Sequence, residues 1–107
     1  MLHILDDTEI TLEQILNQKF ENIILYFTAS WCGPCKLISP LVQELSDDPE
    51  YKDNTLFVKI DVDEFEEIME KSDVKCMPTF HFYKNGVKKD TLEGSNKEQL
   101  KMKLSLL

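Results

Sequence analysis

The sequence predicts an α/β fold with a central mixed β-sheet and helices on both faces. Stretches with apolar residues at helical spacing alternate with short, continuously apolar runs of strand type, the signature of parallel strands joined by crossover helices. The alternation ends in Asn85-Gly86 between two strand-like runs, the strongest short hairpin signal, so antiparallel strands join the parallel ones. With 107 residues and no repeat, low-complexity tract or linker, residues 1–107 are expected to form one domain.

Taken in order, Leu2 to Leu5 can supply an edge strand. Thr11-Leu-Glu-Gln then offers a hydroxyl to cap a helix and a glutamine three residues on to answer it, followed by Leu12, Ile15, Leu16 and Phe20 at helical spacing. Ile23 to Phe27 is apolar without alternation, as in a central strand covered on both faces. Ile38, Leu41, Val42 and Leu45 mark a second helix beginning near Cys35, with a kink expected at Pro40, which lacks an N–H and crowds the carbonyl of Lys36. Leu56 to Ile60 reads as another buried strand, and Phe65, Ile68 and Met69 as a helix. The hairpin joins Thr79–Lys84 to Val87–Glu93, and Asn96 can cap a last helix carrying Leu100, Leu104 and Leu107.

Charge and composition exclude several functions. Twelve basic against 20 acidic residues give a net charge of −8, and every basic residue is a lysine. Such a chain repels phosphate backbones and anionic lipid and lacks the arginine forks of nucleic-acid readers, so neither nucleic acid nor membrane is an expected partner. The long uncharged stretch before Lys36 is interrupted by Ser30, Cys32, Gly33 and Pro34 and is too short to span a bilayer. Met1 to Asp7 lacks the positive lead and apolar run of a secretory signal, which points to the cytoplasm. Three cysteines, an odd number, do not make a disulfide scaffold. In a reducing compartment a close pair is more readily redox-active or metal-binding than a permanent staple.

Trp31-Cys-Gly-Pro-Cys-Lys36 falls where a buried strand hands over to a helix N-terminus. There, unsatisfied N–H groups and the helix dipole favour a Cys32 thiolate, and Cys32 is expected to be the exposed thiol of the pair. Cys35 returns within disulfide reach on the first turn. Gly33 is expected to permit the tight approach, and Pro34 to preset the φ of an early helical position.

These residues, with Val74-Lys-Cys-Met-Pro-Thr-Phe80, Gly86 and Gly94, resemble the thioredoxin family across nearly the whole chain. The resemblance implies a thioredoxin fold and a protein-disulfide reductase in which Cys32 attacks, Cys35 resolves and Pro78 is a cis proline packed against the pair. It further implies a substrate groove built from Trp31, Met77, Pro78 and Gly94, an Asp63 that orients the indole, and Lys59 beneath the site. Thioredoxin reductase and disulfide-bearing targets such as peroxiredoxins would be partners, with no bound cofactor. One position departs. Where the family usually has a buried aspartate, this chain has Tyr26, so the usual proton acceptor for Cys35 is missing.

Plainer readings stand beside these. Cys32 and Cys35 could be half a zinc site, yet only Cys76, His3 and His81 could complete four ligands, and no metal is expected. Cys76 could be a small hydrophobe or, beside the reactive face, a regulatory thiol that links a homodimer. Trp31 could be core, Asp61 a solvated strand end, Lys59 a snorkelling strand residue and Glu64, Glu66, Glu67 and Glu70 a wet helix face. Two other functions remain open. A secretory oxidase or isomerase would be expected to carry histidine at position 34, and an adaptor would use the surface without turnover.

Overall fold

A computed structural model describes residues 2–107. The elements are β1 (Leu2–Ile4), α1 (Leu12–Leu16), β2 (Asn22–Thr28), α2 (Gly33–Asp47), β3 (Thr55–Asp61), α3 (Glu66–Lys71), β4 (Thr79–Lys84), β5 (Val87–Glu93) and α4 (Lys97–Leu106). The strands form one mixed sheet in the order β1-β3-β2-β4-β5. β3 runs parallel to both β1 and β2, whereas β2–β4 and β4–β5 are antiparallel. Helices cover both faces, as the alternating sequence pattern requires.

β2 lies at the centre, and Leu25, Tyr26 and Phe27 have no exposed surface at all. Side chains alternate across a strand, so an unalternating apolar run needs two covers. Ile24 and Tyr26 pack with Phe57, Phe80 and Phe82 beneath Ile38, Leu41, Val42 and Leu45 of α2 and Leu100 and Leu104 of α4. Ile23, Leu25 and Phe27 face the opposite way, toward Ile15 of α1 and Ile68 of α3. Burying a large apolar side chain contributes roughly 1.5–3 kcal/mol, and this central strand collects that contribution on both sides.

Local chemistry explains the element ends. At the start of α1 the Gln14 N–H donates to Thr11 Oγ1 at 3.2 Å while the Thr11 N–H donates to Gln14 Oε1 at 2.9 Å, a complete capping box. Asn96 Oδ1 accepts from the Gln99 N–H at 3.0 Å and opens α4. The hairpin turns on Asn85 at φ 51° and Gly86 at φ 81°, the doubly left-handed backbone that Asn-Gly favours. Lys103 donates to both oxygens of Asp90 at 3.0 Å, fastening α4 to β5 and holding that carboxyl below the ordinary aspartate range.

Three boundaries differ from expectation. α1 closes at Leu16, so Phe20 packs from the turn that follows. α2 begins at Gly33 rather than near Cys35, because Cys32 itself caps the helix. Leu107 lies beyond α4 and packs against the core from the chain end. Pro40 stands inside α2, which continues on both sides of it. No helix among the described residues is long and apolar enough to cross a membrane.

His81 sits on the α1/α3 face, 4% exposed, edge-on to Phe27 at 5.3 Å, with its Nδ1 unpartnered among the described residues. Burial, aided by the charge of Lys88 and opposed by that of Glu93, pushes its pKa from 6.5 down to about 4. The unfolded chain therefore binds a proton that the fold refuses between these two values. Stability from this group is complete above pH 6.5 and is lost as pH falls toward 4. We expect denaturant melts at pH 7.5 and 4.5 to show a smaller acid loss for His81→Leu than for the parent, the difference not exceeding about 3 kcal/mol. Equal acid losses would overturn the assignment.

Candidate active site

β2 ends at Thr28, and the chain crosses Ala29 to Trp31 to reach α2. This passage is tightly bonded. Val62 N–H donates to the Thr28 carbonyl at 2.9 Å, and Cys32 N–H to the Ala29 carbonyl at 3.1 Å. Cys32 takes the extended backbone of a helix cap, and its Sγ accepts the Cys35 N–H at 3.1 Å. A sulfur in that position receives both a direct N–H bond and the positive end of the helix dipole, which favours its negative form.

Cys32 and Cys35 are joined as a disulfide, with Cα atoms 5.3 Å apart. Pro34 lies in the first turn, where its missing N–H leaves no bond unmade. In the closed form the two cysteines are buried alike, Cys32 3% and Cys35 2% exposed. What separates the two sulfurs is the cap bond, which only Cys32 receives. One expectation is corrected here: Gly33 is not required by crowding, because a Cβ there would meet nothing within 4 Å and its backbone is not left-handed.

Around the disulfide, Trp31 is 66% exposed and its indole Nε1 donates to Asp63 Oδ2 at 2.9 Å. Asp61 Oδ1 accepts the Asp63 N–H at 2.9 Å, so the strand end shapes the loop that holds the indole. Met77–Pro78 is cis, and Met77 packs against the cluster that contains both cysteines. Gly94 takes φ 101° and donates its N–H to the Pro78 carbonyl at 2.8 Å, binding the loop before β4 to the end of β5. Cys76 is the free thiol and is exposed; its Sγ lies 3.3 Å from Glu93 Oε2 and 3.7 Å from Thr79 Oγ1.

Tyr26 lies directly beneath α2. Its ring stacks on Phe80 at 4.9 Å, and its hydroxyl donates to the Cys35 carbonyl at 3.2 Å and lies 2.8 Å from Ser39 Oγ. Ser39 in turn donates to the Cys35 carbonyl at 2.8 Å. The group in place of an acid is therefore a neutral tie to the Cys35 backbone. Lys59, beside Tyr26 in the β2–β3 register, lines a cavity of about 350 Å³ that Cys35 also lines, and no direct bond joins it to the disulfide. Ser39 was missed by the sequence reading, although a serine four residues after Cys35 can bond back to its carbonyl. No group of His, Cys, Asp and Glu side chains suited to a metal ion occurs among the described residues.

Comparison with known proteins agrees with this geometry. A family model described as Thioredoxin matches residues 3–105. The thioredoxin of Ictalurus punctatus is 47% identical over 83 residues, 78% of this chain and 77% of its own. A solved thioredoxin from Plasmodium falciparum superposes with a TM-score of 0.82 at 39% identity, covering 97% of both chains. A chain from work on thiol resolution in a yeast mitochondrial 1-Cys peroxiredoxin via glutathione/thioredoxin systems gives a TM-score of 0.85 at 31% identity, covering 99% of this chain and 95% of its own.

Because Tyr26 is fully buried, stacked and hydrogen-bonded, Tyr26→Asp removes the ring and buries a carboxylate in its place. We expect a loss of at least about 3 kcal/mol of stability. It should also add a carboxyl titration above the usual aspartate range to the pH dependence of Cys32 alkylation. A variant as stable as the parent, with an unchanged alkylation profile, would refute this account of the site.

Proposed function

The chain belongs to the thioredoxin family of thiol–disulfide oxidoreductases, and on that premise we propose that it is a general protein-disulfide reductase, a dithiol electron carrier re-reduced by a thioredoxin reductase. The observation that carries this reading is the Cys35 N–H to Cys32 Sγ bond, which gives the two sulfurs different roles. In the reduced protein Cys32, favoured as thiolate by the helix end, attacks a target disulfide. One target sulfur leaves as thiolate, and the other stays bonded to Cys32. Cys35, once deprotonated, attacks Cys32; the Cys32–Cys35 bond forms and the second target thiolate departs. The target gains two electrons and the protein returns to the disulfide described above.

The exposed Trp31, with Met77, cis Pro78 and Gly94, supplies an apolar platform beside the pair and is the face offered to targets. Disulfide-bearing peroxiredoxins are fitting partners, in keeping with the subject of the structural study cited above. An exposed free thiol at Cys76 suits a reducing compartment, and we place the protein in the cytoplasm. The chemistry needs no resident cofactor.

Insulin-disulfide reduction coupled to a panel of NADPH-dependent thioredoxin reductases tests the reading, and absence of turnover with every one of them would overturn it. Cys32→Ser should abolish reduction, whereas Cys35→Ser should hold targets as stable mixed disulfides; equal trapping by both variants would reverse the roles. Cys76 should link two chains after peroxide treatment, giving a dimer on non-reducing gels that Cys76→Ala removes. Persistence of the dimer in that variant would refute the link.

A further inference from the structure

α2 and α4 cover the same sheet face, and between them runs a groove of about 590 Å³. Its apolar surface comes from Leu41 and Leu45 of α2, Tyr51 from the turn that follows, and Met102 of α4. The leucines are buried and Tyr51 is half-buried, whereas Met102 is 51% exposed. Beyond the groove the apolar surface continues at helical spacing. Leu37 stands four residues before Leu41 and Leu106 four after Met102, and both are exposed. Three of the six large, exposed apolar side chains among the described residues therefore lie on these two helices. Neither helix needs them for the core, which is filled by Ile38, Val42, Leu100 and Leu104. An apolar strip left in water on a packed helix pair is the kind of surface that partners cover.

The walls carry charge of one sign. Glu44, Asp48, Glu50 and Glu98 line the groove against a single cation, Lys101, and none of the four carboxylates has an ion-pair partner among the described residues. Asp48 Oδ1 accepts the Glu50 N–H at 2.9 Å, which fixes the turn at the far end. Burial and then the charges of Glu50 and Asp48 push the Tyr51 hydroxyl above its ordinary range, so the acidic field reaches the groove wall. A nucleic acid or an anionic lipid is repelled here. So is a second copy of this chain, whose own acidic walls would meet these. The complementary occupant is cationic with an apolar ridge.

Backbone chemistry selects the form of that occupant. No strand lines the groove, and the sheet ends at β1 and β5. An extended peptide would therefore lose water from its N–H and C=O groups with no ladder to replace it, whereas a helix arrives with its backbone already bonded. The groove spans Leu41 to Asp48 on α2 and Glu98 to Ser105 on α4, in each case about 10 Å or two helical turns. We propose that the α2/α4 groove docks a basic amphipathic helix of a partner protein, its apolar ridge on Leu41, Leu45 and Met102 and its lysines or arginines against Glu44, Glu50 and Glu98. Met102 suits such a role because its unbranched side chain adapts to the ridge it meets. Leu41, the groove residue of α2 nearest the disulfide in sequence, lies six positions beyond Cys35, about 9 Å along the axis. None of Trp31, Met77, Pro78 and Gly94 lines the groove. A helix held there leaves the disulfide free, so the site goes beyond the reductase reading and does not depend on it.

The test titrates the full-length oxidised protein into a fluorescein-labelled, tryptophan-free synthetic peptide with leucine along one helical face and lysine along the other, read by anisotropy. The peptide should bind and gain helical circular dichroism. A scrambled peptide of the same composition, and one with glutamate for lysine, should each bind at least about tenfold more weakly. Glu44→Lys combined with Glu50→Lys should weaken binding about tenfold, as should Met102→Lys. Glu13→Lys combined with Glu70→Lys makes the same charge change at exposed positions on α1 and α3 of the opposite face and should leave binding unchanged. Trp31 is the single tryptophan of the chain, so its emission should stay constant on binding, and insulin-disulfide reduction should proceed at the parental rate with the groove filled. Absence of binding, or binding that the groove variants leave intact, would overturn the proposal. Equal loss in both charge-reversed pairs, or equal binding of the scrambled peptide, would reduce the effect to net charge and overturn it too. A shifted Trp31 emission would move the site to the disulfide face. Should Met102→Lys fail to fold, the two charge-reversed pairs still decide; failure of insulin reduction in the parent without peptide would count against the reductase reading alone.

Discussion

The sulfur of Cys32 closes the N-terminus of the helix that carries Cys35, and the rest of the molecule is arranged to hold that one bond. A helix start leaves N–H groups without partners, and serine or aspartate usually answers them. Using a cysteine makes the capping atom the reactive atom, so the backbone that defines the helix also tunes the chemistry. The fully buried β2 fixes where the passage begins, and α2, packed over the same sheet, fixes where it ends. The sulfurs cannot drift without disturbing the core.

Beneath that bond the chain uses neutral groups. A buried carboxylate needs a partner or a proton, and leaving it unsatisfied is costly. The hydroxyls of Tyr26 and Ser39, with one proton each, converge on the Cys35 carbonyl and on each other, while the Tyr26 ring fills space against Phe80. Pro40 removes the N–H that would have bonded the Lys36 carbonyl, so the helix is weakened just beyond the pair. The two hydroxyls restore anchorage one residue earlier.

Much of this was legible in the sequence because it is local. The Asn85-Gly86 turn, the Thr11–Gln14 capping box and the unalternating run of β2 each follow from backbone preference or from burial on two faces. The start of α2 was placed late because its first turn is small and polar, so the apolar period shows only from Ile38 onward. Strand order depends on which elements meet across the sheet, and no short window encodes that. The burial of Cys32 escaped notice for a related reason: dipole and capping arguments describe the sulfur's bonds, whereas its cover comes from residues distant in sequence. Asp73, left-handed at φ 55° after α3, is a position where an aspartate stands in for the expected glycine.

The two outer strands differ in a way that governs how the protein meets copies of itself. β1 is only three residues long, and β5 carries Lys88, Lys89 and Asp90 next to a register shift between Phe82 and Tyr83 in its partner. A short edge and a charged, irregular one both resist the addition of a further strand. The sheet therefore ends at five strands rather than serving as a template for fibrillar growth, which lets a protein with a continuously apolar central strand remain dispersed when crowded.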